Sequence, residues 1–220
     1  MKKYLLLSLA IYLIMGSFAY AWWWPYSTPT PKPIATPKPT PIPTPKPTPT
    51  PSPVPIQTSV GSRVIVRSDW GAIPPLRVSP TLYATKIVIH HTAFLRDTTK
   101  SLEEKVLFLQ KFHQTERGFD DIAYHFFIDM YGNIAEGRPL YSQLVHPIYN
   151  ASEMVHIVLE GDFTREAPTL AQIDSLFRVL ELVRHIYPIE QREIYGHKDF
   201  MTTLCPGTLY EYLPMLRETE

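Results

Sequence analysis

Three residues with metal-binding side chains, His90, His197 and Cys205, lie in two widely separated parts of the chain. His90 follows an apolar, β-branched run at 87–89, so we expect it at the end of a strand, and His197 follows a second strand-like segment. Cys205 comes eight residues after His197, in a loop rich in turn residues. Two imidazoles and one thiolate are the ligand types and the ligand number of a catalytic zinc site, whose fourth position is left for water. The sequence therefore predicts one open zinc site.

Short apolar segments and longer periodic ones indicate which elements would position these residues. Strands are expected at 86–90, 124–129, 133–136, 155–160 and 193–195. Apolar residues at helical spacing predict helices over 100–115 and 170–186, and a shorter helix is expected near 209–216, with Pro214 interrupting its end. Strands that alternate with helices predict an α/β fold, in which helices flank a mixed central β-sheet in a single domain.

The N-terminal segment has the features of a signal peptide. Two lysines precede an apolar stretch that ends near Phe18, and residues 19–21 have the small-x-small form that signal peptidases cut. We therefore predict a signal peptide at 1–21 and an exported protein. An uncleaved membrane anchor is the alternative, since three tryptophans at 22–24 favour a membrane interface. The apolar stretch of about 15 residues is short for a span, which needs about 20.

A proline-rich linker is expected at 22–57. Residues 25–55 contain 14 prolines and no glycine. Proline fixes φ and has no backbone N–H, so this tract should form an extended polyproline II spacer that reaches on the order of 100 Å at about 3.1 Å per residue. A ligand for aromatic-lined grooves is the alternative interpretation of such a tract. Residues 58–220 remain for one domain with a core of its own.

The predicted domain is acidic. Five of the 21 basic residues and none of the 21 acidic residues precede residue 58, so the domain holds 16 basic and 21 acidic residues and has a formal charge of −5. A nucleic-acid partner would require a basic face. The composition therefore argues against nucleic acid as a partner.

Cys205 is the one cysteine of the chain, so it cannot close a disulfide within it. In an exported protein such a cysteine is free, bonded to a second chain, or bound to a metal. A small buried apolar cysteine is a further interpretation. The histidine eight residues before it and the Pro-Gly pair after it favour zinc ligation.

Five motifs, in their order along the chain, resemble those of the type 2 N-acetylmuramoyl-L-alanine amidases, the family of the peptidoglycan recognition proteins and bacteriophage T7 lysozyme. They are RSDWGA at 67–72, HHTA at 90–93, DIAYHF at 121–126, GNIAEGR at 132–138 and GHKD at 196–199. Each motif is weak alone, but the ordered set is specific, and the resemblance covers about residues 67–209. It implies an α/β fold with one Zn²⁺ ion held by His90, His197 and Cys205.

The resemblance also implies a reaction, cleavage of the amide between N-acetylmuramic acid and L-alanine in peptidoglycan. Zinc lowers the pKa of its water to about 7 and polarises a carbonyl. Tyr124 matches the active-site tyrosine of the family, which holds the attacking water or stabilises the oxyanion; a packed strand tyrosine is the alternative. Thr203 lies where the family carries Lys or Thr near the metal, which implies a catalytic contact; a hydroxyl that satisfies the loop backbone is the alternative.

Five residues match positions that bind substrate in the family. His113 and His146 resemble positions that line the groove, and buried structural histidines are the alternative. Gly118 and Phe119 lie where a Gly-aromatic pair favours meso-diaminopimelate stem peptides, and Arg138 matches the arginine that reaches the extra carboxylate of that residue. A helix-capping glycine and a surface ion pair are the alternatives for Gly118 and Arg138.

The remaining strand histidines are expected away from the metal. Consecutive strand residues point to opposite faces, so His91 should not share a metal with His90, and His125 should face away from Tyr124. His156 departs from the family, which places a small residue, commonly glycine, at this position. The departure affects the expected packing of the sheet rather than the site.

Three functions compete at this stage. A secreted zinc amidase is the main hypothesis, acting as a monomer on peptidoglycan or muropeptides, with membrane contact only if the leader is uncleaved. A non-catalytic peptidoglycan-binding module is the alternative, typical of relatives that lack the zinc cysteine, whereas this chain has Cys205. A purely structural zinc would need a fourth protein ligand, and the sequence offers none at suitable spacing.

Overall fold

A six-stranded mixed β-sheet lies at the centre of the protein, in a computed structural model that describes residues 63–218. Its strands are Val64–Ile65 (β1), Lys86–His91 (β2), Phe126–Ile128 (β3), Ile134–Glu136 (β4), Met154–Leu159 (β5) and Ile194–Gly196 (β6). The strand order is β1-β4-β3-β5-β2-β6, in which β3 and β4 pair antiparallel and the other neighbours pair parallel. The predicted α/β fold with a mixed central sheet is confirmed.

The predicted signal peptide at 1–21 and linker at 22–57 lie outside the described residues and stay predictions. The described residues belong to one compact unit, Pro55–Glu220. Within residues 63–218, no helix combines the length and the apolar character that a bilayer span requires.

Two long helices cover the sheet, and both begin at a capping box. In Leu102–Glu116 (α1), the Ser101 hydroxyl accepts from the Glu104 N–H, and the Glu104 carboxylate accepts from the Ser101 N–H. Thr169 and Gln172 form the same pair at the start of Leu170–Ile186 (α2). These side chains satisfy backbone donors that have no partner inside the helix, which fixes where each helix begins.

The C-terminal helix differs from the prediction. Gly207–Tyr212 forms a 3₁₀ helix, and an α-helix follows at Leu213–Glu218 (α3). Pro214 therefore lies in the first turn of α3 rather than interrupting a helix end. This position accommodates proline because first-turn N–H groups have no intrahelical acceptor. Two short 3₁₀ turns, Gln191–Glu193 and His197–Asp199, flank β6.

Because side chains alternate along a strand, successive residues of the central strand β2 pack in two core layers, one on each face of the sheet. Ile87 and Ile89 of β2 pack in the core cluster that contains residues of α2 and α3, whereas Val88 belongs to a cluster on the opposite face. His90 shares the face of Val88 because side chains alternate along a strand. His91 faces the other way, and its Nδ1 accepts the backbone N–H of Phe163 at 3.0 Å. The prediction that His91 and His90 point to opposite faces of the sheet is confirmed.

Candidate metal centre

The carboxyl ends of two adjacent parallel strands bring the predicted metal ligands together. His90 lies near the end of β2, and His197 directly follows β6, which pairs with β2 through Ile89 and Gly196. Cys205 lies in the loop before the 3₁₀ helix Gly207–Tyr212. One ligand atom from each of His90, His197 and Cys205 lies within 4.8 Å of the others. The structure therefore brings the three candidate ligands together around one position.

Backbone contacts hold the loop that carries Cys205. The Lys198 N–H donates to the Cys205 carbonyl at 2.9 Å, which joins the loop to the turn of His197. The His91 N–H donates to Cys205 Sγ at 3.4 Å. Gly207 has φ +66°, and a Cβ there would collide with the backbone of Phe163. Glycine is thus required at this position for the loop to pack against the backbone of Phe163.

The two nitrogens of His90 have different surroundings. Nδ1 lies 3.7 Å from Cys205 Sγ, and Nε2 lies 3.0 Å from Nδ1 of His156. His90 therefore directs Nδ1 to the candidate metal position. Burial, followed by the charge of His197 and other histidines, holds the pKa of His90 well below its usual range. The imidazole is neutral at physiological pH, which is the form that binds metals.

His197 and Cys205 also have the properties of metal ligands. Burial lowers the pKa of His197 to about 4, and its Nε2 is buried without a hydrogen-bond partner among residues 63–218. Burial raises the pKa of the Cys205 thiol to about 12, although the hydrogen bond from the His91 backbone N–H lowers this pKa in part. A bound divalent cation would satisfy the free nitrogen and stabilise the thiolate. The donor set therefore fits zinc.

The described part of the chain contributes no fourth His, Cys, Asp or Glu ligand to this group. Structural zinc sites are closed by four protein ligands, whereas catalytic sites have three and one open position. The group His90, His197 and Cys205 therefore offers a metal three protein ligands.

Tyr124 lies beside His90, with 5.2 Å between the ring centroids. It precedes β3 rather than lying within a strand, and its carbonyl accepts the Arg138 N–H at 2.7 Å. A Cβ at Gly137 would collide with the Tyr124 carbonyl, so glycine is needed there. Burial raises the pKa of Tyr124 above its usual range, and the Cys205 charge adds to the shift. The phenol therefore stays protonated and can donate a hydrogen bond.

Thr203 supports the cysteine loop. Its hydroxyl accepts the backbone N–H of Cys205 at 3.2 Å, and the side chain is half-buried. The contact corresponds to the alternative considered for this residue, a hydroxyl that satisfies the loop backbone. Any catalytic contact of Thr203 stays a prediction.

A row of rings leads from α1 to His197. His113 contacts Phe119, with 5.7 Å between the ring centroids, and Phe119 contacts His146 at 5.6 Å. Tyr149 lies 4.2 Å from His146 and 5.6 Å from His197. The structure thus joins three predicted substrate-binding residues into one wall beside the metal position. Tyr149 was missed, because no feature of the loop around it distinguishes this tyrosine from others.

The His113 ring is fixed by the backbone. Its Nδ1 accepts the Ala123 N–H at 3.1 Å, so the remaining nitrogen carries the proton in the neutral ring. Burial lowers the pKa of His113 to about 4. The ring is therefore a neutral donor at physiological pH. The His146 Nδ1 likewise accepts the Ile148 N–H at 3.2 Å.

Gly118 has a structural function in the fold. It follows Arg117, the C-cap residue of α1, and has φ +68°. The Phe119 N–H then donates to the His113 carbonyl at 3.0 Å, which closes the turn after the helix. Glycine has no Cβ, so it adopts this left-handed conformation at little cost and is common directly after a helix. Gly118 sets the position of Phe119, and a direct substrate contact of Gly118 stays a prediction.

Arg138 does not occupy the expected position in the groove. Its side chain is 0% exposed, and two of its nitrogens bind the carboxylate of Asp120, at 2.8 and 3.0 Å. The guanidinium also donates to the carbonyls of Ile122 and Gln143 and to the hydroxyl of Ser79. No part of Arg138 is exposed to a substrate carboxylate. We correct its role to that of a buried structural residue.

Comparison with known proteins identifies the family. The sequence profile of the N-acetylmuramoyl-L-alanine amidase family, Amidase_2, matches residues 80–208, which include His90, His197 and Cys205. This match covers more than half of the chain, and the chain belongs to this family. Peptidoglycan-recognition protein LB of Drosophila melanogaster is 34% identical over 158 residues, which make up 66% of this chain and 65% of the fly protein.

Solved structures agree with this assignment. Peptidoglycan recognition protein LE, in complex with tracheal cytotoxin, a monomeric diaminopimelic acid-type peptidoglycan, is 27% identical with a TM-score of 0.63. The alignment covers 69% of this chain and 92% of that protein. The endolysin N-acetylmuramoyl-L-alanine amidase LysCS of Clostridium intestinale is 25% identical with a TM-score of 0.57, over 72% of this chain and 97% of the endolysin. The family thus contains proteins named for recognition and proteins named for hydrolysis.

Proposed function

We propose that the protein is a zinc-dependent N-acetylmuramoyl-L-alanine amidase. The observation that carries the proposal is the group of His90, His197 and Cys205, whose ligand atoms lie within 4.8 Å of one another without a fourth ligand from residues 63–218. A pure binding module needs no such group, whereas hydrolysis of an amide requires an activated water and a stabilised oxyanion. Tyr124 lies next to the group and supplies the second requirement.

The chemistry divides between the metal and the protein. Zinc, when bound by His90, His197 and Cys205, supplies a Lewis acid that acidifies water and polarises a carbonyl. Tyr124 keeps its proton, because burial raises the pKa of the phenol. Its O–H donates a hydrogen bond to the oxygen that becomes negative as water attacks the lactyl carbonyl. The C–N bond then breaks, and the nitrogen of L-alanine takes up the proton that the attacking water releases, so a lactyl carboxyl group and a free amine are formed.

The substrate would lie along the wall of rings. His113 presents an N–H because the backbone occupies its Nδ1, and Phe119, His146 and Tyr149 offer ring faces and edges along the same path. Such a wall can hold a peptide by packing and a few hydrogen bonds. The resemblance to recognition protein LE, solved with a diaminopimelic acid-type ligand, supports a stem peptide of that class. Arg138 is buried, so this preference would rest on other residues.

The proposal includes the organisation of the whole chain. A signal peptide at 1–21 exports the protein, the linker at 22–57 tethers or spaces it, and residues 58–220 act as a monomeric domain with one zinc ion. Its partners are peptidoglycan and muropeptides in the secreted, periplasmic or wall space. The acidic charge of −5 argues against nucleic acid.

Digestion of purified peptidoglycan tests the proposal. The mature chain, loaded with zinc, is expected to release stem peptides whose L-alanine has a free amine, which mass spectrometry identifies. Cys205→Ala is the matched control, and it should release none. Binding of the zinc-loaded protein to peptidoglycan without release of peptides would instead identify a recognition module.

A further inference from the structure

His156 lies directly behind the metal ligand His90. Its Nδ1 is 3.0 Å from Nε2 of His90, and the two ring centroids are 5.2 Å apart. His156 is 0% exposed. The two side chains meet because β2 and β5 are parallel neighbours in which His90 pairs with Val158 and Val88 with His156, so both histidines project from one face of the sheet.

A metal ion bound at Nδ1 of His90 would determine which nitrogen of each ring carries a proton. His90 directs Nδ1 toward Cys205 Sγ, at 3.7 Å, and a metal at that position requires the lone pair of Nδ1. The proton of the neutral His90 ring is then on Nε2, from which it is donated to His156 Nδ1. His156 accepts through Nδ1 and carries its own proton on Nε2.

His125 holds His156 in this position. The backbone N–H of His156 donates to the ring nitrogen Nδ1 of His125 at 3.0 Å. The backbone N–H of His125 donates to the His156 carbonyl at 2.8 Å. The rings of His125 and His156 are stacked at 12° with 5.9 Å between centroids. The other nitrogen of His125 lies 3.1 Å from the Ser142 carbonyl, so it carries the proton. Both polar positions of the His125 ring are used, and the ring cannot turn without losing both contacts.

His156 is not itself a ligand in this arrangement. Its Nδ1 contacts the nitrogen of His90 that points away from Cys205, and the ligand group that the structure forms in residues 63–218 does not include it. His156 Nε2 is buried and has no hydrogen-bond partner among the described residues.

We propose that His156 is a positioning residue of the metal centre, which accepts the Nε2–H of His90 and thereby holds the Nδ1 of His90 toward the metal. This inference rests on the proposed function. Metal-binding histidines in proteins generally donate their second N–H to such a partner, usually a carboxylate or a carbonyl. Here the acceptor is a neutral imidazole. It orients the ligand without adding a negative charge that would weaken the metal as a Lewis acid.

Zinc affinity of the mature chain tests the proposal. His156→Leu fills the space and removes the acceptor, and it should raise the zinc Kd about 10- to 100-fold, the usual effect of losing such a partner. His156→Asn keeps an acceptor near the Nδ1 position and should recover most of that loss. Ile157→Ala is the matched control, because Ile157 is fully buried in β5 and packs in the core cluster on the opposite face. Its Kd should equal that of the wild type within a factor of about two.

The Kd is measured by competition with a chromophoric chelator, and circular dichroism of each metal-free variant checks the fold. Equal zinc affinity of His156→Leu and the wild type would overturn the positioning role while leaving the proposed function intact. A wild-type chain that binds no zinc would overturn both. The wild type also provides a test that needs no folded variant. Nitrogen-15 spectra of its zinc complex should show the proton of His90 on Nε2 and that of His156 on Nε2, and a proton on His156 Nδ1 would refute the inference.

Discussion

Substitution of Arg138 separates a structural role from a role in substrate binding. Arg138→Ala removes a guanidinium that is 0% exposed and leaves the Asp120 carboxylate, with a side chain 6% exposed, without its ion-pair partner. It also removes donors to the carbonyls of Ile122 and Gln143. We expect a large loss of stability and no specific loss of substrate affinity in the molecules that remain folded.

The magnitude follows from these contacts. Removing one partner of a buried ion pair costs about 3–5 kcal/mol, because the other charge stays buried and uncompensated. In a domain of this size each kcal/mol corresponds to about 2–4 °C in Tm, so Arg138→Ala should lower Tm by about 10 °C. The double variant Arg138→Met with Asp120→Leu removes both charges and should recover part of that loss.

The pH dependence has a defined sign. Burial opposes ionisation of Asp120, but the hydrogen bonds from Arg138 and Ser79 hold its pKa below the usual range. A carboxyl whose pKa is lower in the folded state contributes stability at neutral pH, and the contribution disappears as pH falls below about 4 toward the folded pKa. The wild type should therefore lose stability on acidification more steeply than the double variant.

Chemical unfolding at several pH values, together with KM and kcat on a soluble muropeptide, is the assay. Arg138→Lys is a useful companion, since lysine keeps the charge but cannot make the bidentate contact with Asp120. If Arg138→Ala kept the stability of the wild type and raised KM by tenfold or more, the arginine would reach the substrate and our placement would be wrong.

Four further predictions concern the proposed catalysis and the domain boundary. Cys205→Ala should abolish both stoichiometric zinc binding and hydrolysis, because only two imidazole ligands remain; full zinc content measured by atomic absorption would contradict this. Tyr124→Phe should keep the fold and the zinc but lower kcat by about 10²-fold or more, because it removes only the hydroxyl that we propose as the donor to the oxyanion. Thr203→Ala should lower kcat less, since its hydroxyl contacts the loop backbone, and equal kcat values for the two variants would refute the distinction. Removal of residues 1–57 should leave a folded, active protein, measured by circular dichroism and muropeptide turnover, because a proline tract buries no core; an insoluble product would place the boundary elsewhere.

Local patterns in the sequence predict most of the elements. The helix expected at 170–186 is α2, Leu170–Ile186, because its apolar stripe and its capping residues are both local signals. The strand β1, Val64–Ile65, was missed, since two residues carry no measurable periodicity and their strand exists through pairing with β4. Tyr124 was assigned to a strand that begins two residues later. Strand ends depend on pairing partners, which the local sequence does not contain.

The candidate site, too, is predictable from the sequence only where it depends on residue types, and not where it depends on contacts between distant segments. The motifs predict His90, His197 and Cys205, because a metal requires particular side chains whose types are visible in sequence. The pairing of Arg138 with Asp120 is not visible, since it depends on how segments 18 residues apart fold against each other. His156 is visible only as an unusual residue. Its contact with His90 depends on the register between β2 and β5, which becomes known with the structure.

The position of β2 has a consequence for the order of folding. This strand lies between β5 and β6, which come from the later part of the chain, so its hydrogen bonds on both sides are long-range contacts. Long-range pairing forms slowly compared with local structure. His197 and Cys205 reach His90 only when β6 has docked on β2, so a tight zinc complex should require a nearly complete fold. The appearance of high-affinity zinc binding during refolding would then mark the last steps of assembly rather than the first.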